Sequence, residues 1–209
     1  MKKEITVLVH GFNKDKSDMV YLESGLKSAG FDVLSVNLPT TFGSLEQCRN
    51  SLFLQTREIL NGVELVNYVA HSMGGLITRS FIDFIGQENV GKCVFIATPH
   101  GGSRLALMAD CIPLYSTLFK PVKNLLPNLS YRSFGSDKKF RIGVIAGCRN
   151  DGLIGKLFMP EESDGRVEVS SAKASDMDDF VIVPYGHASI HHERQTLGLV
   201  KRFLLTGSF

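Results

Sequence analysis

Tyr68-Val69-Ala70-His71-Ser72-Met73-Gly74-Gly75 is the stretch that decides how this chain folds. Ahead of it, Leu65-Val66-Asn67-Tyr68-Val69 is an apolar, β-rich run that reads as a buried strand. Behind it, Leu76-Ile77-Thr78-Arg79-Ser80-Phe81-Ile82 carries apolar residues at helix spacing. A serine at such a tight strand-to-helix turn has the signature of a nucleophile elbow. The residue types follow from the geometry. The helix must pass close to the strand it leaves, which small residues at Ala70 and Gly74 permit. Ser72 then projects above the sheet, and the first helical amides face the oxygen of a bound carbonyl. The plainer alternative makes Ser72 an N-cap that opens an ordinary helix.

Outward from this stretch, strands and helices alternate. Ile5 to Val9 reads as a strand buried on both faces, and Asp15 to Ala29 as a helix ended by Gly30. The second strand spans Phe31 to Val36. The second helix spans Ser44 to Leu60, with Ser44 and Gln47 spaced as a capping box. Glu64 to Val69 is the third strand and Met73 to Ile85 the third helix. Lys92 to Ala97, Phe140 to Ala146 and Asp179 to Pro184 follow as strands, and His192 to Leu205 is the closing helix. This alternation predicts an α/β fold of about six mostly parallel strands with helices on both faces, a single domain over 1–209. In such sheets function gathers at the carboxyl ends of the strands. One apolar, proline-cut segment, about 103–130, breaks the rhythm and reads either as a lid or pocket wall or as an outer-layer helix.

Composition narrows the possibilities. The 209 residues include 44% hydrophobic and 21% charged residues and carry a net charge of +2, which suits an ordinary globular domain and leaves nucleic-acid binding without an electrostatic basis. No apolar run reaches membrane-spanning length. Lys2-Lys3 precedes too short an apolar run for a signal peptide, so a cytoplasmic location is expected. The four cysteines lack paired spacing and read as free thiols. Gly86 to Cys93 imitates a phosphate loop but has Cys93 at the magnesium-binding position, so it reads as a helix-to-strand turn. His187 and His191 have i,i+4 spacing, yet no third ligand is evident. No metal and no cofactor are expected.

An elbow serine needs an oxyanion hole, an acid and a base. His10-Gly11-Phe12 ends the first strand, and Gly11 lets its backbone approach a bound carbonyl. The amides of Phe12 and Met73 are the expected donors. His187 directly follows the last strand and is the expected base. His191 and His192 are rivals placed within the closing helix. The acid belongs after the fifth strand, where Asp164-Gly165 and Asp151-Gly152 compete. Asp164 is preferred because it lies nearer the base and leads into a bracing run, Arg166 to Ser171. Asp176, Asp178 and Asp179 are more remote choices. His10, Gly11, His71 and His100 are candidate substrate-binding residues, although His71 occupies the variable elbow position and is expected to point away from Ser72.

Together these pieces resemble the α/β-hydrolase superfamily, in particular its small lipase and esterase members. The resemblance rests on His10-Gly11-Phe12, on Ala70 to Gly75 with Arg79 downstream, on Thr98-Pro99 with Gly102-Ser103, on Asp164-Gly165-x-Val167 and on His187. It covers nearly the whole chain and departs from the usual elbow only at Ala70, where glycine is common. It implies a sheet with the first strand near its centre and without the usual N-terminal antiparallel strands. It also implies hydrolysis of carboxylic esters through an acyl-enzyme, and the apolar side chains of the 103–130 segment favour a substrate with an apolar acyl part. Thioesterases, acyltransferases and catalytically silent binding modules share the superfamily and remain alternatives.

Overall fold

The computed structural model describes residues 4–102, 133–150, 159 and 162–209. The segment 103–130 and Asp151 lie outside the described residues. Six parallel strands form one sheet in the order β2-β1-β3-β4-β5-β6: β1 (Glu4–Val9), β2 (Val33–Ser35), β3 (Leu65–His71), β4 (Val90–Ile96), β5 (Arg141–Gly147) and β6 (Asp179–Val183). The chain runs from β1 outward to β2, then returns past β1 to β3. The neighbouring strands β1 and β3 therefore flank the point where the winding reverses, which is where α/β sheets open a crevice.

Helices cover both faces. On one face, α2 (Leu45–Leu60) and α3 (Met73–Ile85) pack on Val7, Val9, Tyr68, Ala70 and Phe95 through Leu52, Ile77 and Phe81. On the other, α1 (Val20–Lys27) and α5 (Arg194–Thr206) bury Leu22, Leu26, Val200 and Phe203 against Leu8, Val69, Val94 and Ile145. A short helix, α4 (Val169–Ala172), precedes β6. Central strands bury both faces, which is why β3 and β4 read as continuous apolar runs. No helix among the described residues is long and apolar enough to cross a membrane.

The expected elements are present with shifted ends. The capping box forms: Ser44 Oγ accepts from the Gln47 amide (3.2 Å), and Gln47 Oε1 accepts from the Ser44 amide (2.8 Å). The helix expected from Asp15 instead starts as a 3₁₀ turn, Lys16–Met19, because Asp15 caps it by accepting from the Ser17 amide. The closing helix starts at Arg194 rather than His192. Residues Ile190–His192 form a separate 3₁₀ turn, broken from α5 by extended Glu193. The expected brace over Arg166 to Ser171 is one bridge, Ser163 to Glu168, followed by α4.

Candidate active site

The turn after β3 carries its strain where the sequence places the serine. Ser72 has φ 54° and ψ −128°, a conformation that L-residues rarely adopt, and it costs about 1–3 kcal/mol. Surrounding contacts hold it there. The Ser72 amide donates to the Ile96 carbonyl (2.8 Å), and Thr98 Oγ1 donates to the Ser72 carbonyl (3.0 Å). A Cβ at Gly74 would lie 2.5 Å from the Val9 carbonyl oxygen and 2.6 Å from that of His10, so α3 passes β1 at backbone distance. The small residue at this position is a steric requirement.

The two readings of Ser72 separate here. An N-cap serine would accept a bond from an amide of the first turn, and Ser72 makes no such bond. Its Oγ lies 2.9 Å from His187 Nε2, and His187 Nδ1 lies 2.8 Å from Asp164 Oδ2. The carboxylate can only accept, so Nδ1 carries the hydrogen and Nε2 takes the Ser72 hydroxyl proton in its lone pair. Asp164 itself is held by its other oxygen: Oδ1 accepts from the amides of Arg166 (2.9 Å) and Val167 (2.8 Å). The backbone adds a further tie, the His187 amide donating to the Asp164 carbonyl (2.9 Å). Ser72, Asp164 and His187 are 8%, 4% and 6% exposed, so the chain of bonds is shielded from bulk water.

The loop after β1 abuts the serine. A Cβ at Gly11 would stand 3.1 Å from the Ser72 Cβ and 3.4 Å from the His71 carbonyl oxygen, which makes glycine the fitting residue. Phe12 follows directly, its ring packed on the core. Met73 is the first residue of α3, whose amide has no carbonyl within the helix to bond. Both expected oxyanion donors thus belong to segments adjoining Ser72.

Three histidines expected to touch substrate do not line an open site. His10 is fully buried, its Nδ1 3.0 Å from the Gly11 carbonyl and its Nε2 accepting from the Leu38 amide (2.9 Å); it shapes the loop instead. His100 is buried, with Nδ1 2.7 Å from the Ala172 carbonyl and its ring edge-on to Phe95. Burial, reinforced by the Arg79 guanidinium, pushes its pKa down to about 3. His71 Nε2 lies 3.0 Å from the His187 carbonyl. Each of the three rings meets a backbone group. Burial keeps His10 and His71 below the ordinary imidazole pKa as well.

Other contributors were not legible as such. Thr98, quoted only as part of a motif, fixes the Ser72 carbonyl. Asp176, a remote choice of acid, instead forms a buried two-pronged pair with Arg79 of α3 (2.9 and 2.8 Å) and accepts from the Phe134 amide (2.8 Å). Although burial disfavours its charge, Arg79 holds the Asp176 carboxyl below the usual range. The loop after β4 is tied to α4 by the Gly101 amide donating to Ser171 O (2.8 Å), which anchors the segment following Asp164.

Comparison with known proteins agrees with this architecture. No family model matches the chain. Triacylglycerol lipase 2 of Saccharomyces cerevisiae is 27% identical over 195 residues, covering 68% of this chain; the match spans 60% of the yeast protein's length. Among solved structures, the mature Bacillus licheniformis lipase BlEst2 superposes with a TM-score of 0.83 at 21% identity, over 97% of this chain and 92% of that one. Phospholipase PlaB from Legionella pneumophila gives a TM-score of 0.71 at 15% identity, over 100% of this chain and 60% of that one. The chain has the α/β-hydrolase fold shared by these lipases and esterases.

Proposed function

We propose that this protein is a serine hydrolase that cleaves carboxylic esters through an acyl-enzyme. The observation that carries this reading is the unbroken chain Ser72 Oγ, His187 Nε2, His187 Nδ1, Asp164 Oδ2, at 2.9 and 2.8 Å, built on a strained elbow. Ser72 Oγ attacks the ester carbonyl while its proton passes to His187 Nε2. Asp164 keeps Nδ1–H in place and stabilises the imidazolium that forms. The amides of Phe12 and Met73 donate to the oxyanion, each contributing about 3 kcal/mol to the lowering of the barrier. When the tetrahedral intermediate collapses, His187 returns its proton to the leaving alcohol. A water then gives its proton to His187, attacks the acyl-enzyme, and frees the acid and Ser72. No cofactor enters this scheme.

Relatives named as a triacylglycerol lipase and a phospholipase support lipid esters with an apolar acyl chain as the substrate class. The test is a panel of p-nitrophenyl esters from acetate to palmitate, with Ser72→Ala as control. Hydrolysis that rises with acyl length in the wild type and is lost in Ser72→Ala is expected. Hydrolysis of none of the esters, or equal rates in both proteins, refutes the reading.

A further inference from the structure

Beside His187, whose ring lies 5.0 Å from that of His71, three more histidines gather around one carboxylate. The His71 and His191 rings stack with centroids 3.9 Å apart, and the His192 ring lies 4.0 Å from that of His191. Asp18, in the 3₁₀ turn after β1, places Oδ2 3.1 Å from His191 Nε2 and 3.7 Å from His71 Nδ1, and Oδ1 3.9 Å from His192 Nε2. Sequence spacing offered His191 no third ligand; the fold brings Asp18 from the opposite end of the chain.

The contacts are poor as hydrogen bonds. Asp18 Oδ2, His71 Nδ1 and both ring nitrogens of His191 are buried, and none makes an aligned hydrogen bond. His71 Nε2 faces the His187 carbonyl and must carry that ring's hydrogen in the neutral form, so Nδ1 turns a lone pair toward a carboxylate. Two facing acceptors repel, and each buried acceptor left without a partner costs about 1–3 kcal/mol. A cation bound at Asp18 offsets the carboxylate's negative charge and takes up the lone pairs that Asp18 Oδ2 and His191 leave without a hydrogen-bond partner.

We propose that Asp18, His191 and His192 bind a divalent transition-metal ion, zinc fitting best, which staples the loop carrying Phe12 to the loop carrying His187. Their ligand atoms all lie within 4.8 Å of one another. Zinc bonded at about 2.1 Å to nitrogen and oxygen separates tetrahedral ligand atoms by about 3.4 Å. Asp18 meets His191 through Oδ2 at 3.1 Å and His192 through Oδ1 at 3.9 Å, so side-chain rotation brings a set spread over as much as 4.8 Å to that spacing. Two imidazoles and one carboxylate suit zinc, nickel or cobalt rather than magnesium or calcium, which take oxygen. The ion enters from solvent: the His192 side chain is 41% exposed, and an open cleft of about 510 Å³, lined by Lys14, Ser17, Asp18 and Asn37 among others, reaches the carboxylate. Lys14 Nζ, 3.2 Å from Asp18 Oδ1, swings into water when the ion binds; its side chain is already about half exposed.

The test is calorimetric titration of chelator-treated protein with zinc chloride, with thermal melting in parallel and cobalt(II) absorption as a ligand-field reporter. Wild type is expected to bind one zinc per chain and melt at higher temperature, with visible cobalt bands. Ser72→Ala is expected to bind identically, since the ion does not sit at the serine. His192→Ala, at an exposed position that folding does not depend on, and Asp18→Asn are expected to weaken binding by about 100-fold. Absence of saturable binding in the wild type, unchanged affinity in His192→Ala, or loss of binding in Ser72→Ala would each overturn the proposal. None of these results depends on ester hydrolysis.

Discussion

Replacing Asp164 by asparagine separates its two functions sharply, because its two oxygens have different partners. Oδ1 accepts from the amides of Arg166 and Val167, while Oδ2 accepts from His187 Nδ1–H. Asparagine keeps one acceptor and gains a donor. Turning the amide nitrogen toward the backbone would oppose two donors and leave both amides unsatisfied, at about 1–3 kcal/mol each. The side-chain oxygen therefore stays on the backbone, and the NH₂ group faces His187. Nδ1 must then accept, the hydrogen moves to Nε2, and Ser72 loses its base. The wrong tautomer costs about 10⁴ in kcat in serine proteases, or about 5.5 kcal/mol of barrier. The fold keeps its backbone bonds, so the melting temperature should move by only about 3 °C. Steady-state kinetics on a p-nitrophenyl ester, paired with a thermal melt, measures both. Activity within tenfold of wild type would refute the assignment of Asp164 and return attention to Asp151.

Three further outcomes follow from packing and charge. Gly74→Ala places a Cβ 2.5 Å from the Val9 carbonyl oxygen, an obstacle made of backbone, so stability should fall by about 3 kcal/mol with activity lost; an unchanged urea midpoint contradicts the close-approach account. Arg79→Met strands the Asp176 carboxylate and should cost about 3–5 kcal/mol, much of it recovered in Arg79→Met/Asp176→Leu; equal stability of the single variant and wild type in urea refutes this. His100, held at about 3, stays neutral in the folded state while the unfolded chain takes up a proton below about 6.5. Its contribution is thus complete above pH 6.5 and is lost as pH falls toward 3, amounting to about 4 kcal/mol over the window. Urea midpoints should fall from pH 7 to pH 5, and less steeply in His100→Asn; parallel profiles would contradict the assignment.

What could be read from the chain was whatever depends on local pattern. Leu65 to Val69 announces a buried strand by composition, Ser44 and Gln47 announce a cap by spacing, and Ser72 announces an elbow by its small neighbours. His187 and Asp164 were legible because strand order places the loops that carry them at one end of the sheet. The histidines show where this reasoning stops. His10, His71 and His100 have the chemistry of ligands, and nothing local tells that backbone carbonyls and amides already occupy their rings. Arg79 and Asp176 lie 97 residues apart, so their pairing belongs to tertiary packing alone. The closing helix starts two residues after the expected His192, because His191 and His192 belong to a separate 3₁₀ turn and face Asp18.

The most direct test of the central claim is covalent. A fluorophosphonate probe reacts with a serine oxygen only when that oxygen is activated, and intact-mass measurement followed by peptide mapping locates the adduct. The account predicts a single adduct on Ser72 in the wild type, none in Ser72→Ala, and strongly slowed labelling in Asp164→Asn. Equal labelling of wild type and Ser72→Ala, or an adduct mapped to another residue, would contradict it.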